Sequence, residues 1–183
     1  MIKQHLISRG VKDFTGVTLC EDVNLAYFWL YNLFGQIAGY QQYNPNGTKN
    51  ISRKEMNPRD QKYYTYLSEH LFWEGNKSCF WGTQFYNHNK KDVFLVEGIF
   101  DAVKIINEGY NAFATLNNDP RIAKNYIKLL KDRHNIIVIA DNDAAGRKLL
   151  KYGDSSYVCE GHDLGDMTQE EAHTFIHNIL NKT

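Results

Sequence analysis

Two wholly apolar runs, each stopping at an acidic residue, most constrain what this chain can fold into. One is Val93-Phe94-Leu95-Val96 before Glu97-Gly98; the other is Ile136-Ile137-Val138-Ile139-Ala140 before Asp141-Asn142-Asp143. A half-exposed strand alternates apolar and polar residues. A strand with no polar position is covered on both faces, as in parallel sheets flanked by helices. The segments between them agree. Ile99–Asn107 reads as a helix stopped by Gly109, and Ala112–Leu116 as a short strand. Residues 122–130 read as a helix with Ile122, Tyr126, Leu129 and Leu130 on one face. Asn135–Ala140 is a third strand, Ala144–Leu150 a helix, and Ser156–Cys159 a fourth strand. Thr168-Gln169-Glu170-Glu171 has the residue types of a capping box that opens a last helix.

The composition changes near residues 87–92. Before it the chain is rich in Tyr and turn residues. Lys3–Val11 reads as a short helix ended at Gly10, and Ala26–Tyr31 as an aromatic strand. Gly35 is a turn, and Gln36–Tyr43 returns as a strand with Ile37 and Gly39 marking close packing. Asn44-Pro45-Asn46-Gly47 is a turn. Gln61–His70 suits helix or strand equally. The expected organisation is a small α+β subdomain over residues 1–90, followed by an α/β domain over 91–183.

The 183 residues carry 21 Lys+Arg and 21 Asp+Glu, so no overall basic charge advertises nucleic acid, although a local basic face is compatible. Cys20, Cys79 and Cys159 are far apart and share no ligand spacing with histidines. We therefore expect neither a disulfide framework nor zinc, and a reducing cytoplasm. Met1–Gly10 does not read as a signal peptide, and no apolar run is long enough for a membrane span.

Ligands of open α/β sheets gather at the carboxyl ends of the strands. Glu97, Asp141 and Asp143 each follow an apolar strand and are expected on one rim. Converging carboxylates repel one another, and a hard divalent cation relieves that repulsion. Gly98 and Gly146 would let backbone approach a phosphate closely. Such a site suits metal-assisted phosphoryl or nucleotidyl transfer, or phosphodiester cleavage. A lone Asp-x-Asp is common in ordinary turns; the combination, each element ending a strand, is far more specific. Arg53, Lys54, Arg59 and Lys62, interleaved with Tyr63, Tyr64 and Tyr66, read equally as a grip on a single strand or as a solvated loop. Arg147 and Lys148 could reach a phosphate or lie on a surface helix face. His162 reads as an exposed turn residue beside Asp163. Trp29, Trp73 and Trp81 read as core or subdomain-interface residues, and the cysteines as buried and inert.

Glu97-Gly98-Ile99-Phe100-Asp101 and Asp141-Asn142-Asp143-Ala144-Ala145-Gly146 resemble the signature of the Toprim domain, shared by bacterial and phage primases, type IA and type II topoisomerases and some nucleases. Three features are similar to DnaG-type primases. Arg147 follows the acidic loop. Gly161-His162-Asp163-Leu164-Gly165-Asp166 sits where primases carry a further acidic motif. Leu33–Gln41, Tyr66-Leu67-Ser68 and Leu71–Gly75 resemble the subdomain that precedes Toprim. The resemblance implies a Rossmann-like, mostly parallel sheet with flanking helices behind a small α+β primase-type subdomain. It implies Glu97 as catalytic acid/base or metal-linked carboxylate, and Asp141 and Asp143 as metal ligands. Asp163 would serve a second ion, and Asp101 would orient its neighbours, with Gly98, Gly146 and Asp166 as motif residues. Two Mg²⁺ or Mn²⁺ ions, a single-stranded DNA template and ribonucleoside triphosphates are implied.

The chain departs from the family pattern in several places. Within these 183 residues we read neither the zinc-binding domain that primases usually carry nor a helicase or helicase-binding domain. Gln42 and Tyr43 stand where Arg is usual, Thr65 where Lys is usual, and Asn117 where Gly is usual. The expectation is a phage-type primase core in the host cytoplasm, or a subunit of a split primase. It would work with a replicative helicase or a separate zinc-bearing template-recognition partner. A Toprim nuclease and a non-catalytic nucleic-acid-binding accessory of a replisome are the rivals.

Overall fold

The structure, a computed structural model, describes residues 1–32, 34–49, 57–68, 79–116, 124–144 and 146–182. After helix α1 (Ile2–Ser8) come strands β1 (Val17–Cys20), β2 (Leu25–Tyr31), β3 (Ile37–Tyr43) and β4 (Tyr63–Leu67). They form an antiparallel sheet in the order β1-β2-β3-β4. Strand β5 (Asp92–Val96), helix α2 (Ile99–Asn107), β6 (Asn111–Ala114), α3 (Lys124–Lys131), β7 (Asn135–Ala140), β8 (Ser155–Val158) and α4 (Gln169–Leu180) follow. Their strands form a wholly parallel sheet in the order β6-β5-β7-β8.

The two apolar runs are the central strands β5 and β7, and their period of two divides the core. Phe94, Val96, Ile137 and Ile139 face a core shared with α1, α2, α4 and the antiparallel sheet. Val93, Leu95, Ile136, Val138 and Ala140 face a second core against Ile127, Leu130, Leu149 and Tyr152. All nine are at most 3% exposed, so neither face of these strands could carry a polar residue. At roughly 1.5–3 kcal/mol for each fully buried aliphatic side chain, these strands anchor the domain. Phe80 and Trp81 stitch the sheets together. Phe80 pairs with Tyr31 of β2, and Trp81 pairs with Ala114 of β6, each by two backbone hydrogen bonds of 2.9–3.3 Å.

Several expectations are corrected. Of Gln61–His70, which suited helix or strand equally, Tyr63–Leu67 forms strand β4, and residues 69 and 70 lie outside those described. The short β1 carries no sequence signal and is held by its pairing with β2. The described residues of the span 144–150, which exclude Ala145, do not form the expected α-helix. Two 3₁₀ turns, Gly146–Lys148 and Leu150–Tyr152, take its place, because an Asp143 oxygen caps the Gly146 N–H at 2.6 Å and tightens the chain. In α3, Ile127 and Leu130 form the buried face, while Leu129 points outward at 60% exposure. Ile37 is exposed rather than packed, whereas a Cβ on Gly39 would collide with the Tyr66 carbonyl of β4. Trp81 is buried at the sheet junction, but Trp29 lies on the outer face of β2, its indole N–H donating to Thr18 Oγ1 at 2.9 Å. Cys79 and Cys159 are buried and Cys20 only partly so. Trp73, Leu71–Gly75, Asn117 and Ile122 lie outside the described residues. Among those described, no helix is long and apolar enough to cross a membrane.

Candidate functional site

In the parallel sheet the chain leaves β5 toward β6 on one side and β7 toward β8 on the other. This reversal opens a crevice at the carboxyl ends of β5 and β7, the usual place for a ligand in such sheets. Leu95 pairs with Val138, so Glu97 stands level with Ala140, and Asp141 follows one residue on. The sequence therefore delivers both carboxylates to the same spot by ending two adjacent strands with an acid.

A cleft of about 330 Å³ occupies that crevice. Glu97, Asp101, Asp141, Asp163 and Asp166 line it, and Arg9, Lys49 and Lys62 face them. Burial, reinforced by the charges of Asp141, Asp143, Asp101 and Asp163, pushes the Glu97 carboxyl up to about 7. Burial and the neighbouring Asp163, Asp143 and Asp166 raise Asp141 to about 6, against a small opposing pull from Lys49. Glu97 is thus poised to exchange a proton near neutrality.

Asp101 belongs to the same wall but is engaged differently. Its two carboxylate oxygens accept the backbone N–H groups of Gly98, at 2.9 Å, and Gly165, at 2.7 Å. It fixes the first turn of α2 against the loop that carries Asp163 and Asp166. Burial, followed by the charge of Asp141, still lifts it to about 7 despite those two donors. Asp143 is exposed and does not line the cleft. One of its oxygens caps Gly146, while its charge acts on Glu97 and Asp141. Asp163 is exposed at the cleft edge, and Asp166 forms an ion pair with Arg9 at 2.7 Å.

The glycines are also required by the fold of the site itself. A Cβ on Gly146 would stand 2.5 Å from the Asp141 carbonyl oxygen and 2.9 Å from its nitrogen, so Gly146 lets the acidic loop fold onto itself. A Cβ on Gly98 or Gly165 would press on the Asp101 carboxylate at 2.8 and 2.9 Å. They admit the loop's own carboxylates and backbone, with no phosphate needed to explain them.

Of the basic candidates, Lys62 lines the cleft and Arg59 is exposed on the preceding turn. Arg53 and Lys54 lie outside the described residues. The tyrosines do not form one surface. Strand alternation sends Tyr63 toward the cleft, and puts Tyr66 beside Tyr40 on the opposite face, their rings stacked at 5.4 Å. Arg147 and Lys148 are exposed and do not line the cleft, and the Arg147 guanidinium donates to Asn142 at 3.1 Å. Arg9, Lys49 and Gln41 line the cleft with no sequence signal, because tertiary folding alone brings them to residues 97–166. Arg9 also lies over the Phe100 ring, 4.4 Å from its centroid.

Among the described residues the anionic donors lining the cleft are carboxylate oxygens, which suit Mg²⁺ or Mn²⁺. Burial first, and the like charges of their neighbours second, raise the carboxyls of Glu97 and Asp141, and a cation between them would relieve that repulsion.

Residues 94–163 match the family model Toprim_2, described as Toprim-like. A search of curated proteins finds no match. Among solved structures, a DnaG primase catalytic domain bound to ssDNA is 20% identical, with a TM-score of 0.60, over 98% of this chain and 58% of that one. The Aquifex aeolicus primase, comprising zinc-binding and RNA polymerase domains, is 22% identical with a TM-score of 0.58, over 86% and 40% of the two chains. The primase fragment of the bacteriophage T7 primase-helicase protein is 15% identical with a TM-score of 0.57, over 85% and 62%. The chain spans about half the length of the solved structures it matches. Residues 94–163 are therefore Toprim-like, and the chain has the fold of DnaG-type primase catalytic cores.

Proposed function

We propose that this chain is the catalytic core of a DnaG-type primase, joining ribonucleotides on a single-stranded DNA template with Mg²⁺ or Mn²⁺. The observation that carries this reading is the convergence of Glu97, Asp141 and Asp163 on one cleft at the β5/β7 crevice, opposite Lys49 and Lys62. In the proposed organisation residues 1–90 form the subdomain that supplies the cationic wall, and residues 91–183 supply the acidic one.

The reaction is attack of a ribose hydroxyl on an α-phosphorus with departure of pyrophosphate. Glu97, titrating near neutrality, takes the hydroxyl proton or anchors an ion beside it. Asp141 and Asp163, which line the cleft, would hold the ion, and Asp143 adds its charge from outside the cleft. When bound, Mg²⁺ or Mn²⁺ would supply charge neutralisation for the phosphates. Lys49 and Lys62 face the triphosphate as point charges, while Arg9 is already engaged by Asp166. Asp101 keeps the acidic wall in register through Gly98 and Gly165.

The single-stranded DNA and the helicase link of the structural neighbours support the corresponding partners here. A replicative helicase or a separate zinc-bearing template-recognition protein completes the assembly, in the cytoplasm of a host cell if a phage encodes the chain. The test incubates the purified protein with labelled ribonucleotides, single-stranded DNA and Mg²⁺ or Mn²⁺. Short RNA products that vanish in Glu97→Ala and Asp141→Ala are expected. Degraded DNA would replace the reading with a Toprim nuclease. Neither product, together with no Mn²⁺ binding, would leave a non-catalytic accessory.

A further inference from the structure

A second group of ligand-type side chains lies away from the cleft. Glu108 caps the C-terminal end of α2, and His173 and His177 sit one turn apart on α4. One donor atom from each falls within 4.8 Å of the other two. His173 Nδ1 is 2.6 Å from Glu108 Oε2, and the two imidazole centroids are 4.2 Å apart. Helix α2 separates this group from Asp101 by about 10 Å at 1.5 Å per residue.

The carboxylate is held from behind. Gln169, one turn before His173, donates to the other oxygen of Glu108 and to the Lys104 carbonyl at 3.1 Å. Gln169 Oε1 accepts from Asn107 Nδ2 at 3.1 Å, and that amide also donates to the Gly10 carbonyl at 2.9 Å. A hydrogen-bonded carboxylate aimed at two histidines at i and i+4 is the arrangement in which outer partners orient metal ligands. An ion pair between His173 and Glu108 accounts for one imidazole. The His177 ring packs edge-on to Tyr110, 6.4 Å between centroids, and lies against His173, which holds a second ring nitrogen at the same point.

We propose that Glu108, His173 and His177 form a Zn²⁺ site that ties α4 to the C-terminal end of α2. Two nitrogens and one carboxylate oxygen match the borderline character of Zn²⁺, with water completing a tetrahedron, whereas Mg²⁺ and Mn²⁺ favour the carboxylate cleft. The proposal departs from the expectation, drawn from cysteine and cysteine–histidine spacing, that the chain holds no zinc. Its consequence is mechanical. Clamping α4 secures the helix whose first turn contains Asp101.

The test titrates Zn²⁺ into the EDTA-stripped full chain in excess Mg²⁺, which occupies the carboxylate cleft. One Zn²⁺ per chain is expected. Affinity should fall about tenfold or more in His173→Ala and in His177→Ala, and stay unchanged in Asp141→Asn and in His88→Ala on an exposed loop. Co²⁺ should give visible ligand-field bands without a thiolate charge-transfer band, and His173→Ala should abolish them. His173 is 55% exposed, so that variant should fold even if His177→Ala does not. Zinc binding retained in both histidine variants, zinc lost in Asp141→Asn alone, or no zinc bound at all would each overturn the proposal.

Discussion

Replacing Glu97 with Gln should stabilise the metal-free protein at alkaline pH. The Glu97 carboxyl rises from 4.5 to about 7 on folding, chiefly through burial and then through the charges of Asp141, Asp143, Asp101 and Asp163. A carboxyl raised in the native state binds its proton more tightly there than in the unfolded chain. Between pH 4.5 and about 7 the native state therefore holds more protons, and stability falls as pH rises through that window. At about 1.4 kcal/mol per pH unit the ceiling is roughly 3 kcal/mol, and solvent screening of this half-buried group reduces it to about 1–2 kcal/mol. Urea unfolding in EDTA should show Glu97→Gln more stable than the wild type by that amount at pH 8, with the two converging near pH 4.5. Adding Mn²⁺ should reverse the order, because only the wild type has the full carboxylate set to hold it. A variant no more stable than the wild type at pH 8 in EDTA would refute the claim that these carboxylates repel in a confined site.

Three further outcomes follow from the geometry. Asp101→Ala should lower stability by about 2–4 kcal/mol in chemical denaturation, because the N–H groups of Gly98 and Gly165 both lose their acceptor; Mn²⁺ should not restore it. Gly146→Ala places a Cβ 2.5 Å from the Asp141 carbonyl oxygen, so the acidic loop must shift; a loss of about 1–3 kcal/mol with weakened Mn²⁺ binding by calorimetry is expected. Thr168→Ala removes the hydroxyl that accepts the Glu171 N–H at 3.2 Å, and should cost about 1 kcal/mol in thermal unfolding while leaving Mn²⁺ affinity unchanged.

The parallel sheet was legible because β5 and β7 have no polar position to hide, and α2 because Gly98 and Gly109 punctuate both its ends. Glu97 and Asp141 were legible for the same reason: an acid ending each of two adjacent strands needs no further folding information to reach the crevice. What escaped depends on distant parts of the chain. Val17–Cys20 becomes a strand only when Leu25–Phe28 pairs with it. Arg9 meets Asp166 only after α1 docks beside Phe100. The turn at Gly146 was hidden by a helical pattern, since the residues of 144–150 suit a helix and the cap from Asp143 decides otherwise. Glu108 and the α4 histidines lie more than sixty residues apart, so no spacing rule could join them.

The two-residue link Phe80–Trp81 bears on how the molecule comes apart. It is bonded on one side to Tyr31 and on the other to Ala114, and the Trp81 ring lies edge-on to Phe28 at 5.8 Å. A piece cut at residue 90 would carry β6 with a raw hydrogen-bonding edge, and a bare apolar floor where Ala26, Phe28 and Tyr43 had covered Phe100 and its neighbours. The acidic and basic walls of the cleft should therefore melt in one cooperative transition, and neither half should survive as a soluble fragment.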